Sequence, residues 1–235
     1  MFSGRIAYEV LLAMASSGAA PSVLAIFGKH MSPRSRPTLW RRGTWRTPLG
    51  DLAICAELGD ALAGRFDFEQ EQATRYEPDN TIELQLPFVK ELFPDVAIVP
   101  IGVPPRAEAV QIGRTVVELA QGLGLKLGVI GSTDLTHYGP NYGFAPHGEG
   151  AQGEQWVREQ NDQAVIALLL GMDLEQAIAH AREHRSACCV GAAAAATAAA
   201  QALGATQGEL LQYATSNDVR PGSSSFVGYA GIVFG

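Results

Sequence analysis

Short apolar runs that alternate with helical segments are the feature that most limits how this chain can fold. Three such runs, rich in Val, Ile and Leu, cover residues 22–27, 96–103 and 125–131. Lys126 is the one charged residue within them. Runs of this length are typical of strands buried on both faces, which occur where helices cover both sides of a parallel sheet. The sequence therefore predicts an α/β fold, a three-layer sandwich around a mostly parallel central sheet.

The segments between these runs carry helix signals. Asn80 followed by Glu83 resembles a capping box, which predicts a helix to about Leu92 that Pro87 kinks or interrupts. Strands are also expected within residues 38–45, just before Cys55 and over 226–234. Neither a linker nor an internal repeat is visible, so one domain is expected over residues 1–235. Further helices are predicted over residues 3–14 and 57–63, up to residue 122, and near 154–170, 173–184 and the Ala-rich stretch 190–203.

The overall charge argues against two classes of partner. A net charge of −7 does not favour general nucleic-acid binding or binding to a membrane surface. Three cysteines, two of them adjacent, do not make a disulfide framework, and the chain shows neither a membrane-spanning apolar stretch nor a signal-peptide pattern. We therefore expect a cytoplasmic protein. One segment is locally basic, which fits either a solvated loop with an edge strand or a clasp for an anionic ligand: Arg34, Arg36, Arg41, Arg42 and Arg46.

Asp134 and His137 follow the apolar run that ends at residue 131. In an open α/β sheet the loops beyond the carboxyl ends of the strands form the ligand crevice, because helices occupy both faces. His137 is suited to proton transfer near neutral pH, and Asp134 to orienting the ring or accepting a proton. The alternative is an Asx-type turn at Asp134 followed by a structural histidine. Both interpretations remain open from these residues alone.

His30 follows the first apolar run, and Cys188 precedes the Ala-rich helix. A sulfur beside a helix N-terminus is favoured as thiolate, and imidazole, thiolate and carboxylate together suit iron, zinc or copper. The alternative for Cys188 is a small buried residue, which is common for free cysteine. His180 and His184 share a helical spacing that can bind metal, but no third ligand is evident nearby.

Four motifs together resemble the MEMO family, which in prokaryotes is called AmmeMemoRadiSam system protein B. They occur in order over nearly the whole chain, as Thr47-Pro48-Leu49-Gly50, Asn80-Thr81-Ile82-Glu83-Leu84-Gln85-Leu86-Pro87-Phe88, Ser132-Thr133-Asp134-Leu135-Thr136-His137-Tyr138-Gly139 and Val227-Gly228-Tyr229-Ala230. The resemblance implies a fold similar to class III extradiol dioxygenases, which hold non-haem iron(II). It implies a metal site or its remnant.

The resemblance also assigns roles to individual residues. His30 matches a ligand histidine of the family, and Cys188 matches its ligand cysteine. His137 falls where the dioxygenases place their acid–base histidine, with Asp134 beside it. Because Cys189 matches a glycine, Cys188 rather than Cys189 or Cys55 is expected near His30. Partners of the AMMECR and radical SAM types are implied at the level of the family.

The chain departs from the family pattern at three places. Asn80 stands where the family usually has histidine, and Gly28-Lys29 replaces the Gly-Pro before the ligand histidine. The family's first ligand lies in a Pro-His-Ala-Gly motif upstream of a segment that resembles residues 2–4, and this motif is absent from the 235 residues. We therefore expect upstream in-frame DNA to encode an apolar strand with that motif, and we expect the 235-residue form to bind metal poorly.

The leading hypothesis is a MEMO-like metal protein with redox or dioxygenase-like chemistry on an unknown small molecule or peptide. Iron(II) or copper would bind through His30, Cys188 and the histidine of the absent Pro-His-Ala-Gly motif, with His137 and Asp134 as proton carriers or supporting groups. The rival hypothesis is a non-catalytic module that binds a peptide or protein in the same crevice. A third is a metal-independent enzyme with Cys188 as nucleophile.

Overall fold

A five-stranded, mostly parallel sheet lies at the centre of the computed structural model, which describes residues 2–18, 20–75 and 77–235. In chain order the elements are α1 (Gly4–Ser16), β1 (Val23–Gly28), β2 (Thr38–Leu39), β3 (Thr44–Thr47), β4 (Gly50–Ala53), α2 (Ala56–Ala63), β5 (Glu69–Gln70), α3 (Leu86–Leu92), β6 (Ala97–Gly102), α4 (Glu108–Gly122), β7 (Leu127–Gly131), β8 (His137–Tyr138), α5 (Ala151–Trp156), α6 (Asp162–Leu170), α7 (Leu174–His184), α8 (Val190–Leu203), β9 (Gly208–Thr215), α9 (Ser216–Val219) and β10 (Phe226–Phe234).

The central sheet has the strand order β5-β2-β6-β1-β7. β1 pairs in parallel with β6 on one side and with β7 on the other, whereas the short β2 is antiparallel to β6. All six residues of β1 are buried, as expected for a strand with neighbours on both edges and helices on both faces. The three apolar runs of the sequence are therefore the three core strands.

Helices cover both faces of this sheet. Val23, Ala25 and Phe27 of β1 pack into one core cluster with residues of α2, α4 and α8, while Leu24 and Ile26 pack into another with residues of α1, α3 and the β3–β4 hairpin. This alternation follows from the two-residue period of a strand. Each fully buried Leu, Ile or Phe stabilises the fold by roughly 1.5–3 kcal/mol. The predicted three-layer α/β sandwich is confirmed.

The Ala-rich α8 is buried along its first eleven residues, as predicted. Its small side chains let α4 approach closely, because a Cβ atom at Gly113 of α4 would come within 2.1 Å of the Ala195 carbonyl oxygen. The close contact of α4, α8 and the sheet holds the N-terminus of α8 at the carboxyl ends of the strands. Cys189 occupies the N-cap position there.

A separate antiparallel sheet has the strand order β8-β10-β9. The predicted closing strand, β10, is confirmed, but its neighbours β8 and β9 were not predicted. β8 is only two residues long, and β9 alternates exposed and half-buried residues over its first half, so neither carries a strong apolar run. His137 lies in β8, opposite Val227 of β10, so it begins a strand rather than continuing a loop.

Two helix predictions require correction. The helix expected to begin at Asn80 is wrong, because residues 80–85 form turns and α3 begins at Leu86. Pro87 stands in the first turn of α3, where its missing N–H costs no hydrogen bond, and it does not kink a longer helix. The helix expected near residues 154–170 contains a π-helical turn over Val157–Asn161 between α5 and α6.

Within the described ranges, none of the helices combines the length and the apolar character that crossing a membrane requires.

Candidate functional site

Four residues singled out from the sequence come together at the carboxyl ends of β1 and β7. His30 lies two residues beyond β1, and Asp134 lies three residues beyond β7. His137 opens β8, and Cys188 immediately precedes the Cys189 N-cap of α8. Parallel strands end at one edge of a sheet, so residues far apart in the sequence meet there. The structure thus joins the loops of two core strands to one helix N-terminus.

These side chains form two overlapping groups of donor atoms. Ligand atoms of His30, Cys188 and Cys189 all lie within 4.8 Å of one another, and so do those of Asp134, His137 and Cys188. Cys188 belongs to both groups. Cys189 was not expected near His30, yet its sulfur is there because the chain turns into α8 at this point. Cys55 packs against the core cluster that includes residues of α2, α4 and α8, and it belongs to neither group of donor atoms.

Asp79 holds His30 in place. Its Oδ2 accepts a hydrogen bond from the His30 backbone N–H at 3.2 Å and lies 3.3 Å from Nδ1 of the ring. Its Oδ1 accepts from the Thr81 N–H at 2.9 Å, an Asx turn that fixes the carboxylate. Hydrogen bonding to Asp79, and then to Cys188, raises the pKa of His30 to about 10. With Nδ1 facing Asp79, Nε2 is the ring nitrogen available to sulfur or to a ligand.

The backbone before His30 is strained. Lys29 adopts φ 75°, a left-handed conformation that is uncommon for a residue other than glycine. Its N–H donates to Thr81 Oγ1 at 2.7 Å, and its Nζ forms an ion pair with Glu71. These contacts stabilise a backbone conformation that costs about 1–3 kcal/mol. Such strain is common at functional sites, and here it directs His30 toward Cys188.

Cys188 is held by the loop that follows β7. Its N–H donates to the Asp134 carbonyl oxygen at 3.1 Å, and its Sγ accepts from the Asp134 N–H at 3.4 Å. Hydrogen bonding from the Cys189 thiol, 3.5 Å away, lowers the pKa of the Cys188 thiol, and both histidines add to this against the opposing effect of burial. The pKa of Cys189 is raised by the same contact and by burial. Cys188 is therefore the thiolate of the pair.

His137 carries a buried nitrogen without a matching partner. Its Nε2 lies 3.4 Å from Asp134 Oδ2 and the ring also lies beside the Cys188 sulfur, but among the described residues no contact of this atom is aligned as a hydrogen bond. Proximity to Asp134, and then to Cys188, raises the pKa of His137 to about 9. A buried polar atom without a partner costs about 1–3 kcal/mol, so its retention points to a ligand or a proton that completes it.

The glycine- and proline-rich stretch after β8 forms a wall of this site. The Tyr142 ring lies 4.9 Å from the His137 ring, measured between centroids. Arg185 donates to the carbonyl oxygens of Tyr142 and Gly143 at 3.0 and 3.2 Å and lies over the Phe144 ring. The wall is therefore fixed to the C-terminal end of α7.

The donor set fits a transition metal. A thiolate and an imidazole are ligands that iron, zinc and copper accept, and a second imidazole and a carboxylate stand beside them, with the His137 Nε2 atom free to bond to a bound group. His180 and His184 contact each other, with ring centroids 4.5 Å apart, but the described residues bring no third ligand to them. His147 is exposed and stacks on Trp156.

A second polar cluster lies on the other side of the same loop. Asp162 is fully buried, and its Oδ1 accepts from the Thr136 N–H at 3.1 Å and from the Thr136 hydroxyl. Its Oδ2 accepts from the Tyr213 hydroxyl at 2.8 Å, and Asn161 Nδ2 donates to Thr136 Oγ1 at 2.9 Å. Burial raises the pKa of Asp162 to about 6. Sequence reasoning did not identify this cluster.

The basic segment pairs largely with acids. Arg41 and Arg42 both contact Asp60 at 2.6 Å, and Arg36 forms an ion pair with Asp67. Exposed pairs of this kind contribute little stability, typically about 0–1 kcal/mol each. The observed pairing favours the solvated-loop interpretation over a clasp for an anionic ligand.

Comparison with known proteins gives a consistent result. A family model described as Memo-like protein matches residues 1–233. A MEMO1 family protein of Methanopyrus kandleri is 33% identical, with 99% of this chain and 79% of that protein covered. A MEMO1 family protein of Thermococcus onnurineus is 32% identical, with 100% of this chain and 83% of that protein covered.

The fold has a solved counterpart. The crystal structure of an uncharacterised protein from Escherichia coli K12 is similar, with a TM-score of 0.59 over 94% of this chain and 91% of that chain. The identity is 9%, so the likeness concerns the fold alone. It agrees with the expected three-layer α/β architecture.

Proposed function

The chain belongs to the Memo-like protein family, and from this premise we propose that it is a metal-site protein with redox or dioxygenase-like chemistry on a small molecule or peptide. His30 and Cys188 would hold a non-haem ion, iron(II) or copper. Asp134 and His137 would carry protons beside it. The observation that carries the proposal is the position of Cys188, whose sulfur is shared by two donor groups within 4.8 Å.

The residues of the chain have separable tasks in this proposal. Asp79 orients the His30 ring, so that Nε2 faces the site with little loss of side-chain entropy on binding. Cys189 donates to the Cys188 sulfur and keeps it as a thiolate, the form that binds metal. The protonated His137 ring beside Asp134 can donate a proton to a bound substrate. When bound, iron(II) or copper would supply one-electron redox chemistry.

Metal content tests the proposal directly. The protein, purified without added metal and then titrated anaerobically with Fe(II) or with Cu(II), is expected to bind up to one equivalent weakly, because His30 and Cys188 are the two assigned ligands, and Cu(II) should show a thiolate-to-metal absorption band. Cys188→Ala and His30→Ala should weaken binding at least about 10-fold, because each removes a direct ligand. Cys55→Ala and His147→Ala are matched controls, since both residues lie outside the two groups. Equal binding by Cys188→Ala and Cys55→Ala would refute the proposal.

A metal-independent use of Cys188 has one observation in its favour, a thiolate flanked by two imidazoles. In this second candidate Cys188 is a nucleophile and His137 its acid–base partner. Metal-free protein would then alkylate with iodoacetamide faster at Cys188 than at Cys55 across pH 5–7. Slow alkylation at Cys188, together with stoichiometric metal, would leave the metal-site proposal as the better account.

Interaction partners remain part of the proposal. AMMECR-type and radical SAM proteins are the partners that the family resemblance implies, and a peptide-binding role without catalysis is the alternative use of the same crevice. Affinity purification from the native host, followed by mass spectrometry, would test the first. A metal-free protein that binds a peptide at this crevice would support the second.

A further inference from the structure

A crevice opens beside Cys188, between the end of α7 and the loops that follow β1 and β6. It contains about 980 Å³ of unfilled space, including the part open to solvent. Pockets that hold small molecules are usually of roughly 300–1,000 Å³. His137 and Cys188 both line this space, so a molecule inside it contacts the candidate site directly.

Most of the crevice lining is apolar. Besides His137 and Cys188, the uncharged side chains that line it are Pro33, Pro105, Leu135, Ala181, Ala187 and Val190. Such a surface favours a hydrocarbon or aromatic group over water. Among the described residues that line the crevice, none carries a carboxylate. The crevice therefore suits an apolar molecular body and provides no carboxylate to pair with a cation.

Arg182 brings a positive charge to the crevice that no acid neutralises. It lies in the last turn of α7, is exposed, and forms no ion pair with any residue that the structure describes. An acid three or four positions away would be its natural partner on a helix. The residues at those positions are uncharged or basic: Ile178, Ala179, Arg185 and Ser186. The adjacent Glu183 faces His184 instead, with 3.9 Å between Oε2 and Nε2.

Arg185 adds a second cation, which is held in a fixed position. As the C-cap of α7 it adopts φ 52°, a left-handed conformation that glycine usually supplies at this position. Its Nη1 and Nη2 donate to the carbonyl oxygens of Gly143 and Tyr142, and its guanidinium lies over the Phe144 ring. These partners are neutral, so the charge and the other N–H donors of the guanidinium remain available to a ligand.

The two arginines thus face one space without a counter-ion. Like charges at neighbouring positions repel each other, and an anion bound between them removes that repulsion. A guanidinium binds carboxylate and phosphate oxygens with parallel N–H donors. The attraction is local to the crevice, because the chain as a whole has a net charge of −7. The crevice therefore selects an oxyanion group attached to an apolar body.

We propose that this crevice binds a small molecule with an apolar body and one oxyanion group, a carboxylate or a phosphate. Arg182 and Arg185 hold the anion, and the apolar lining holds the body beside His137 and Cys188. Identifying this molecule as the substrate rests on the proposed function, whereas its binding does not. The arginines would then determine which molecules reach the candidate site.

Three probes with the same naphthalene ring test the proposal on metal-free protein. Naphthoate and naphthyl phosphate carry the two oxyanions, and naphthamide is the neutral counterpart of the carboxylate. Isothermal titration calorimetry compares the wild type with Arg182→Gln and Arg185→Gln. The matched control is Arg114→Gln, because Arg114 on α4 is also exposed, forms no ion pair within the described ranges and lies outside the crevice. Circular dichroism verifies that each variant is folded.

The wild type and Arg114→Gln are expected to bind at least one of the two anions about 10-fold more tightly than naphthamide. Arg182→Gln and Arg185→Gln should lose most of this preference. The anion with the lower dissociation constant identifies the oxyanion as carboxylate or phosphate. The bound anion should also slow alkylation of Cys188 by iodoacetamide without protecting Cys55, because only Cys188 lines the crevice.

Equal affinity of the wild type for the anions and for naphthamide would overturn the proposal. Anion binding that Arg182→Gln leaves unchanged would overturn it as well, and this variant decides the matter if Arg185→Gln loosens the wall at Tyr142 and Gly143. Anion binding without protection of Cys188 would overturn the location. Loss of metal binding with intact naphthoate binding would refute the metal-site proposal alone, and the reverse result would refute the crevice alone.

Discussion

Two polar clusters, a fully buried one around Asp162 and a half-buried one around Cys188, hold opposite sides of the loop that follows β7, and they differ in how completely their atoms are paired. Around Asp162, both carboxylate oxygens accept hydrogen bonds, from Thr136 and from Tyr213. Around Cys188, the His137 Nε2 atom lacks an aligned hydrogen bond, and the Cys188 thiol is held in its deprotonated, charged form. A closed network fixes structure, while an incomplete one remains available to a ligand.

The comparison shows how one short loop serves two roles. Thr136 is anchored to Asp162, and its sequence neighbours Asp134 and His137 face the other way, toward Cys188. The anchored side positions the site, because it restricts the backbone that carries both residues. Mutations in the two clusters should therefore separate stability from binding.

The largest effect is expected for Asp162→Ala. The substitution leaves the Thr136 N–H and the Tyr213 hydroxyl buried without acceptors, so the free energy of unfolding should fall by about 3 kcal/mol at pH 5. Cys188→Ala should cost less than about 1 kcal/mol, because that cluster is arranged for binding. Urea denaturation measures both. Equal losses would contradict the division into a structural and a functional cluster.

The stability of Asp162→Asn relative to the wild type should increase as the pH rises. The folded pKa of Asp162 is about 6, above its unfolded value, so this carboxyl stabilises the fold while protonated, and the wild type loses that stability as pH rises through 6. Asparagine keeps the shape without titrating. The unfolding free energy of Asp162→Asn relative to wild type should therefore increase by about 2 kcal/mol between pH 4 and pH 7. Denaturation curves at both pH values measure this, and a pH-independent difference would argue against a buried protonated carboxyl.

Tyr213→Phe should have an intermediate effect. It removes the hydroxyl that donates to Asp162 Oδ2 at 2.8 Å, a bond to a carboxylate worth about 1.5 kcal/mol at pH 8. The loss should be smaller at pH 5, where the acceptor is protonated. Tyr8→Phe, on the partly exposed face of α1, is the matched control and should change stability little. A larger loss at pH 5 than at pH 8 would be inconsistent with this assignment.

The smallest effect on stability is expected for His137→Ala. The substitution removes the ring contact with Tyr142, but it also removes a buried nitrogen that lacks a hydrogen-bond partner. The free energy of unfolding should therefore change by less than about 1 kcal/mol. Metal or ligand binding should nevertheless change. Circular dichroism and thermal melting report the fold, and metal analysis reports the site. A collapse in stability with unchanged binding would make His137 a structural residue.

The central sheet and most helices were predictable because their signals are local. β1, β6 and β7 coincide with the three apolar runs to within one residue, and the buried Ala-rich α8 lies within its predicted range. β9 was missed because its side chains are only partly buried. The helix expected at Asn80 failed for a local reason as well. The side chain of Asp79 forms the turn that precedes Thr81, and Pro87 suits the start of a helix better than its interior.

The candidate site was predictable only in part. His30, Asp134, His137 and Cys188 could be selected because each follows a strand or precedes a helix, positions that converge in an α/β fold. Asp79 could have been found from its Asx-turn pattern with Thr81, but its contact with His30 spans 49 residues. Asp162 and Tyr213 gave no signal, since a carboxylate inside an apolar helix pattern looks like an exposed residue until its partners are known.

The sequence by itself determined the order of the core strands and most of the helices, the apolar core and the chain positions where polar groups could gather. Those properties depend on side-chain polarity and on neighbours within a few residues. Only the tertiary structure decided that Cys188 stands between two histidines and that Asp162 closes a network behind the same loop. These are contacts between distant segments, and their energies depend on how the layers pack, which no local pattern encodes.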